Sequence, residues 1–238
     1  MLLSPALARR ALGELVGTAL LLAAVVGSGI AAQRLSPGDV GLQLLENAAA
    51  TAAALAAIIV AVGPVSGAHL NPVVTLVDRA FGGVTTLEAG AYISAQVVGA
   101  AVGAVVANLM FSLPAVALST TARSSGGLWL GEVVATFGLL LVVFSLARSG
   151  RSSVAPFAVG AYIGGAYLFT SSTSVANPAA TVARGLSDTF AGIAPGSAPA
   201  FVAAQLVGAV LAVLTIRALY PDASQVAADV VVPARSHA

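Results

Sequence analysis

Residues 174–184, Ser-Val-Ala-Asn-Pro-Ala-Ala-Thr-Val-Ala-Arg, and their echo at residues 67–78, Gly-Ala-His-Leu-Asn-Pro-Val-Val-Thr-Leu-Val-Asp, decide the architecture of this chain. In both, an Asn-Pro pair stands where a long apolar run has just ended. Asn is a favoured helix N-cap, and Pro suits the first helical position because its missing N–H would be an orphan there anyway. Each stretch therefore reads as the start of a short helix. The only other Asn residues are Asn47 and Asn108, so the two boxes form a pair.

The surroundings of these boxes are a membrane interior. The chain has 238 residues, of which 58% are hydrophobic and 8% charged. Apolar runs of about 20 residues recur, the length that crosses a ~30 Å hydrocarbon core as a helix. A soluble bundle rich in Ala and Val does not need runs of that length. A net charge of +1 without any basic cluster excludes a nucleic-acid footprint. All ten basic residues are Arg, and there is no Cys, hence no disulfide framework, thiol nucleophile or Cys-based metal site. Arg9 and Arg10 precede an apolar run that resembles a secretory signal. That run extends over residues 11–32 and contains Glu14, so it reads as a retained first span.

Taken in order, the sequence predicts spans at residues 8–30, 42–62, 87–111, 128–147, 154–170 and 199–219. The second span is expected to break at Gly63-Pro64. Half-helices are expected over residues 71–80 and 177–186. The chain reads as one domain over residues 1–222, with repeat one at about 8–112 and repeat two at about 127–219. A polar tail occupies residues 223–238. The repeats share landmarks. Gly13-Glu14 with Gly17-Thr18 matches Gly131-Glu132 with Ala135-Thr136, and residues 95–100 (Ala-Gln-Val-Val-Gly-Ala) match 204–209 (Ala-Gln-Leu-Val-Gly-Ala). Each repeat has three spans, so the second must enter the membrane from the opposite side. Such an inverted repeat brings its broken helices together near the midplane.

With the N-terminus inside, Arg9, Arg10, Arg79, Arg148, Arg151, Arg217 and Arg235 are cytoplasmic, and Arg34, Arg123 and Arg184 lie outside. This excess predicts that both termini are cytoplasmic. The abundance of Ala and Arg without Lys points to a bacterial inner membrane.

A half-helix start leaves backbone N–H groups unpaired and concentrates partial positive charge there. Two such starts facing each other repel a cation, and a proton on a water wire meets the same barrier. The amides of Asn71 and Asn177 offer N–H groups to a passing oxygen.

With these boxes, and with Ser66-Gly67-Ala68-His69, Glu14, Glu132 and Gln96, the chain resembles the major intrinsic protein (aquaporin) family over residues 8–219. The resemblance implies an all-α membrane fold of six helices plus two re-entrant half-helices, a pore in every protomer, and a homotetramer in a lipid bilayer. It assigns Asn71, Pro72, Val73, Asn177, Pro178 and Ala179 to the pore midplane, with Val73 departing from the usual Ala. Glu14 and Glu132 are given the role of satisfying the re-entrant loops, since ionisable groups within spans are costly otherwise. Gln96 and Gln205 do similar work between helices. His69 reads as a loop brace or a pore-lining acceptor rather than a metal ligand.

Water-selective relatives carry an Arg directly after the second box, where this chain has Ala180. Counting back from the two Asn residues puts the other constriction positions at Thr51, Gly165 and Ser174. The expectation is a wide ring without Arg, passing water and also glycerol-like polyols, urea or neutral metalloid hydroxides such as arsenite. Residues 177–195 resemble bacterial channels of the family linked to arsenic handling. Arg184 has two readings. It reaches the outer vestibule and partly replaces the absent Arg, or, as favoured, it snorkels to the interface or bonds the last carbonyls of the half-helix. Asp78 is expected to pair with Arg79 or solvent. Gly13/Gly17, Gly99/Gly103 and Gly160/Gly164 read as close-packing faces.

The function expected is a passive channel without cofactor, metal or covalent step. Its rivals are a strict water channel, a secondary active transporter, which shares inverted repeats and broken helices, and a scaffold with a blocked pore. A transporter would need a coupling carboxylate at the midplane, and the only carboxylates within spans are Glu14 and Glu132 near helix ends.

Overall fold

The computed structural model describes residues 4–221. In chain order the helices are α1 (Pro5–Leu35), α2 (Val40–Ser66), α3 (Pro72–Phe81), α4 (Thr86–Met110), α5 (Gly126–Arg148), α6 (Ala155–Phe169), α7 (Pro178–Ala183) and α8 (Ala198–Leu219). Among the described residues six helical segments are long and apolar enough to cross a membrane; α3 and α7 are the two short ones. The architecture is thus the all-α inverted repeat with two re-entrant half-helices that the resemblance implies. The tail at 223–238, with Arg235 and His237, lies outside the described residues.

Local chemistry sets the helix ends. Ser4 Oγ accepts from the Leu7 amide, and Thr85 and Glu88 form a reciprocal capping box at the start of α4. Gly82 ends α3 at φ +88°, a left-handed conformation that costs glycine least. Two expectations need correction. α2 does not break at Gly63-Pro64 but runs on to Ser66 and is capped by Gly67, whose amide bonds the Gly63 carbonyl. Pro64 falls in the last turn, so only one helical bond is forfeited there. The second half-helix is α-helical only to Ala183, and Arg184–Leu186 tightens into a 3-10 turn.

Within each repeat the first and last helices pack together, α1 on α4 and α5 on α8, while α2 against α6 joins the halves. The contact is close because glycine permits it. A Cβ on Gly103 would stand 2.1 Å from the Ala19 carbonyl oxygen, and one on Gly208 would stand 2.6 Å from that of Val133. Large apolar side chains such as Leu20, Val102, Leu130 and Leu214 face outward, as a lipid-facing surface requires.

Candidate functional site: the passage between the half-helix tips

Two buried carboxylates hold the re-entrant segments. Glu14 accepts from the amides of His69 (3.0 Å) and Leu70 (2.6 Å), from Ser66 Oγ (2.7 Å) and from Gln96 Nε2 (2.8 Å). Glu132 accepts from the amides of Val175 and Ala176, both at 2.9 Å, and from Gln205 Nε2 at 2.6 Å. The second hydrogen of each Gln goes to a half-helix, Gln96 to Thr75 Oγ1 and Gln205 to Thr181 Oγ1. Backbone donors that lipid could not satisfy are thereby paired with full negative charge.

The tips interlock. Asn71 Oδ1 caps α3 through the Val73 amide, and Asn177 Oδ1 caps α7 through the amides of Ala179 and Ala180. Each side-chain amide also reaches the opposite repeat. Asn71 Nδ2 donates to the Ala176 carbonyl at 2.8 Å, and Asn177 Nδ2 donates to the Leu70 carbonyl at 2.9 Å. Leu70 and Ala176 hold φ of +51° and +47°, a region unusual for side chains with a Cβ. This turn of the backbone presents their carbonyls to the opposite repeat. An amide NH₂ carries two hydrogens, so each Asn keeps one beyond the cross-brace.

Both Asn residues border a cavity of about 70 Å³. This is several times the ~10–15 Å³ that one water requires. Its lining is mainly apolar: Leu21 and Val25 of α1, Leu55 and Ile59 of α2, Leu139 and Val143 of α5, and Val159 and Ile163 of α6 border it, with Leu70, Val74 and Val175 from the re-entrant segments. A few hydrogen-bonding side chains interrupt it, His69, Asn71, Asn177, Ser174 and Arg184 among them. α4 and α8 line none of it. The backbone amide of His69 is held by Glu14, and its ring Nδ1 lies 3.1 Å from Thr75 Oγ1, so it both braces and lines.

Of the four expected constriction residues, Thr51, Ser174 and Ala180 border the cavity and Gly165 does not. Gly165 is exposed, and a Cβ there would meet open space. The inward face of α6 is Val159, Ile163 and Tyr167, at helical spacing, and Gly165 stands about 200° around the helix from Ile163. Tyr167 therefore occupies the place expected for Gly165, its hydroxyl 3.4 Å from Thr51 Oγ1. A ring of four small residues is corrected to one containing a phenol.

Arg184 is corrected too. It is 2 % exposed and borders the cavity; its backbone N–H bonds the Ala180 and Val182 carbonyls of α7, but its side chain neither snorkels nor bonds them. Its Nε donates to the Ala191 carbonyl, on the loop that follows α7. So although Ala180 leaves the usual position without Arg, a guanidinium enters from one turn further on. Arg123, read from the sequence only as an outer-side charge, also reaches this loop. It donates from Nε to the Gly192 carbonyl (3.2 Å) and from a terminal nitrogen to the Ser172 carbonyl and Thr173 Oγ1, each at 3.3 Å. Burial first, and then the charge of Arg184, bring its pKa down to about 10. Asp78 pairs with neither Arg79 nor solvent. It is 2 % exposed, with Oδ2 3.6 Å from His69 Nε2, because α3 turns residue 78 inward and residue 79 outward. Arg79 bonds Thr86 Oγ1 instead.

The family profile described as "Major intrinsic protein" matches residues 1–176. The chain belongs to the major intrinsic protein family. Among its relatives, it is 47% identical over 217 residues to "Aquaglyceroporin AqpS" of Rhizobium meliloti (strain 1021), covering 91% of this chain and 92% of that one. It is 33% identical to "Probable aquaporin AqpM" of Archaeoglobus fulgidus, covering 87% and 94%. The X-ray structure of the aquaglyceroporin from Plasmodium falciparum superposes with a TM-score of 0.68 at 21% identity, covering 92% of this chain and 99% of that one, a likeness of fold. As a major intrinsic protein, the chain is a multi-pass membrane channel for water and small neutral solutes.

Proposed function

We propose that this channel passively conducts glycerol-like polyols and neutral metalloid hydroxides such as arsenite, along with water. The observation that carries this reading is the mixed lining, mainly apolar with a few hydrogen-bonding side chains set into it. A polyol has the same mixture of C–H and O–H surface and loses little by leaving water for such a passage. Asn71 and Asn177 orient its oxygens at the midplane, with Pro72, Val73, Pro178 and Ala179 shaping the tips. Thr51, Tyr167, Ser174, Ala180 and Arg184 form the neck at the α7 end and decide which solutes enter. The excess of Arg in the loops around the N-terminus supports cytoplasmic termini, which makes the α7 end the outer one. Composition supports a bacterial inner membrane, and family membership supports a homotetramer. A strict water channel is the second reading, favoured by the entry of Tyr167 and Arg184 into the neck.

Stopped-flow measurements on liposomes holding the purified chain test this. Glycerol and water permeability should both exceed that of empty liposomes, without saturation and without dependence on a proton or Na⁺ gradient. Water flux alone supports the strict water channel, and gradient dependence rejects a passive route. Ala180→Arg should cut glycerol flux by about tenfold and water flux much less, because it narrows the neck with a second guanidinium. Equal loss of both removes Ala180 from the neck.

A further inference from the structure

Two acids are buried beside the re-entrant segment of the first repeat, and the fold treats them differently. Glu14 receives four hydrogen bonds, two of them from backbone amides. Asp78 is almost as deeply buried, yet among the described residues its Oδ1 has no hydrogen-bond partner and its Oδ2 faces His69 Nε2 at 3.6 Å. That separation is an ionic contact, too long for a hydrogen bond. A carboxylate without donors is costly in such a place, and a proton held between Asp78 and His69 removes the cost. The other ring nitrogen of His69, Nδ1, lies 3.1 Å from Thr75 Oγ1, which Gln96 Nε2 fixes in turn at 3.0 Å. His69 borders the cavity, so Asp78 bears on a residue of the lining without lining it itself. Arg148 of α5 offers Asp78 an alternative. Its two terminal nitrogens are buried without an acceptor among the described residues, and its Cζ lies 4.7 Å from the centre of the Phe81 ring. Phe81 is three residues beyond Asp78 on α3, so the two share a helix face and the charge of Arg148 reaches Asp78. The other charged groups around this cluster are committed or further off. Arg10 of α1 bonds Glu88 and Tyr92 of α4, Glu14 is filled, and Arg217 of α8 lies 5.8 Å from the same Phe81 ring.

We propose that Asp78 is a positioning residue for the pore-lining His69, holding its ring while the pair keeps a proton and turning to Arg148 once that proton is lost, so that flux falls as the pH rises. With the proton in place, the contact between Asp78 and His69 carries no uncompensated charge. The ring then stays edge-on to Tyr92, with 5.2 Å between ring centres. Without the proton, Asp78 is a full carboxylate between a neutral imidazole and a guanidinium with two idle nitrogens. The guanidinium is the better partner, because it is charged and its fork matches both oxygens. The move gives Asp78 Oδ1 and both Arg148 nitrogens the partners they lack. It leaves His69 Nε2 with none, and the ring turns about its Thr75 contact into the cavity, which it narrows. The effect on flux rests on the cavity being the conducting path, whereas the hold of Asp78 on the ring does not.

His69 and His237 are the only histidines, so the full-length chain carrying His237→Ala and ¹⁵N-labelled histidine reports on this ring alone. Its ring resonances are followed by NMR in detergent from pH 5.5 to pH 8.5, and water flux is measured in liposomes over the same range. The Nε2 resonance should move within that range, and water flux should fall by about threefold or more across it. Asp78→Asn has no proton to lose and no charge to offer Arg148. It should hold the ring resonances fixed and keep flux at its low-pH value throughout. Arg148→Gln should move both transitions to higher pH, because the cation that favours the carboxylate is gone. A purely structural Asp78 would lower the amount of folded chain without moving a pH profile. Should Asp78→Asn fail to fold, Arg148→Gln still decides. A ring indifferent to pH, a response that persists in Asp78→Asn, transitions left in place by Arg148→Gln, or a flux that does not fall while the ring responds would each overturn the proposal. Water flux no greater than that of empty liposomes at any pH would instead sink the channel reading, and the ring resonances would still decide whether Asp78 holds His69.

Discussion

Both oxygens of Glu132 are filled, by two backbone amides of the linker before α7 and by Gln205. Glutamine at this position keeps one acceptor and turns the other into a donor that faces an N–H. Glu132→Gln should therefore leave one buried amide unmatched and destabilise the fold by roughly 2–3 kcal/mol. A lowered unfolding midpoint in detergent would show it, and Glu14→Gln should behave alike. An unchanged midpoint in both would deny these carboxylates their bracing role. Residues of this kind were legible in the sequence because they recur at matching places in two repeats. Tyr167 was not. The linker between α6 and Asn177 passes through positive φ at Thr173, Ser174 and Ala176, so counting back from Asn177 loses the phase of α6 and lands on the lipid-side Gly165. Arg184 was misread for a related reason, since its acceptor, the Ala191 carbonyl, comes from a loop whose return no local pattern announces.

Among the elements, the pairing of α1 with α4 is the most exacting. A side chain on Gly103 would meet the main chain of Ala19, not the movable end of a side chain, so the helices themselves must separate. Gly103→Val should cost about 1–3 kcal/mol and reduce the yield of folded protein recovered from membranes. Gly90, where a Cβ meets nothing within 4 Å, serves as the control, and Gly90→Ala should leave stability unchanged or slightly improved. Comparable losses at both positions would mean that close approach at Gly103 does not set the cost. The small-residue spacing along these faces was readable from the sequence. The survival of α2 past Pro64 was not, because a proline in a last turn and a proline at a break look the same until the capping Gly67 is placed.

Over the whole molecule, the two repeats are tied at their centre by a reciprocal pair of hydrogen bonds, Asn71 to Ala176 and Asn177 to Leu70. Because each Asn both caps its own half-helix and holds the opposite linker, losing one loosens the ground on which the other stands. Asn71→Ala and Asn177→Ala should therefore combine non-additively in unfolding, with a coupling of about 0.5–2 kcal/mol. Strict additivity would mean that the tips are held by their own repeats alone. The order of synthesis gives this tie a further meaning. While the first repeat is being threaded into the bilayer, the carbonyl that Asn71 will grip has not left the ribosome. The leading half-helix must then wait with its amide unanswered, and no lumen exists for anything to leak through until the trailing one arrives to meet it.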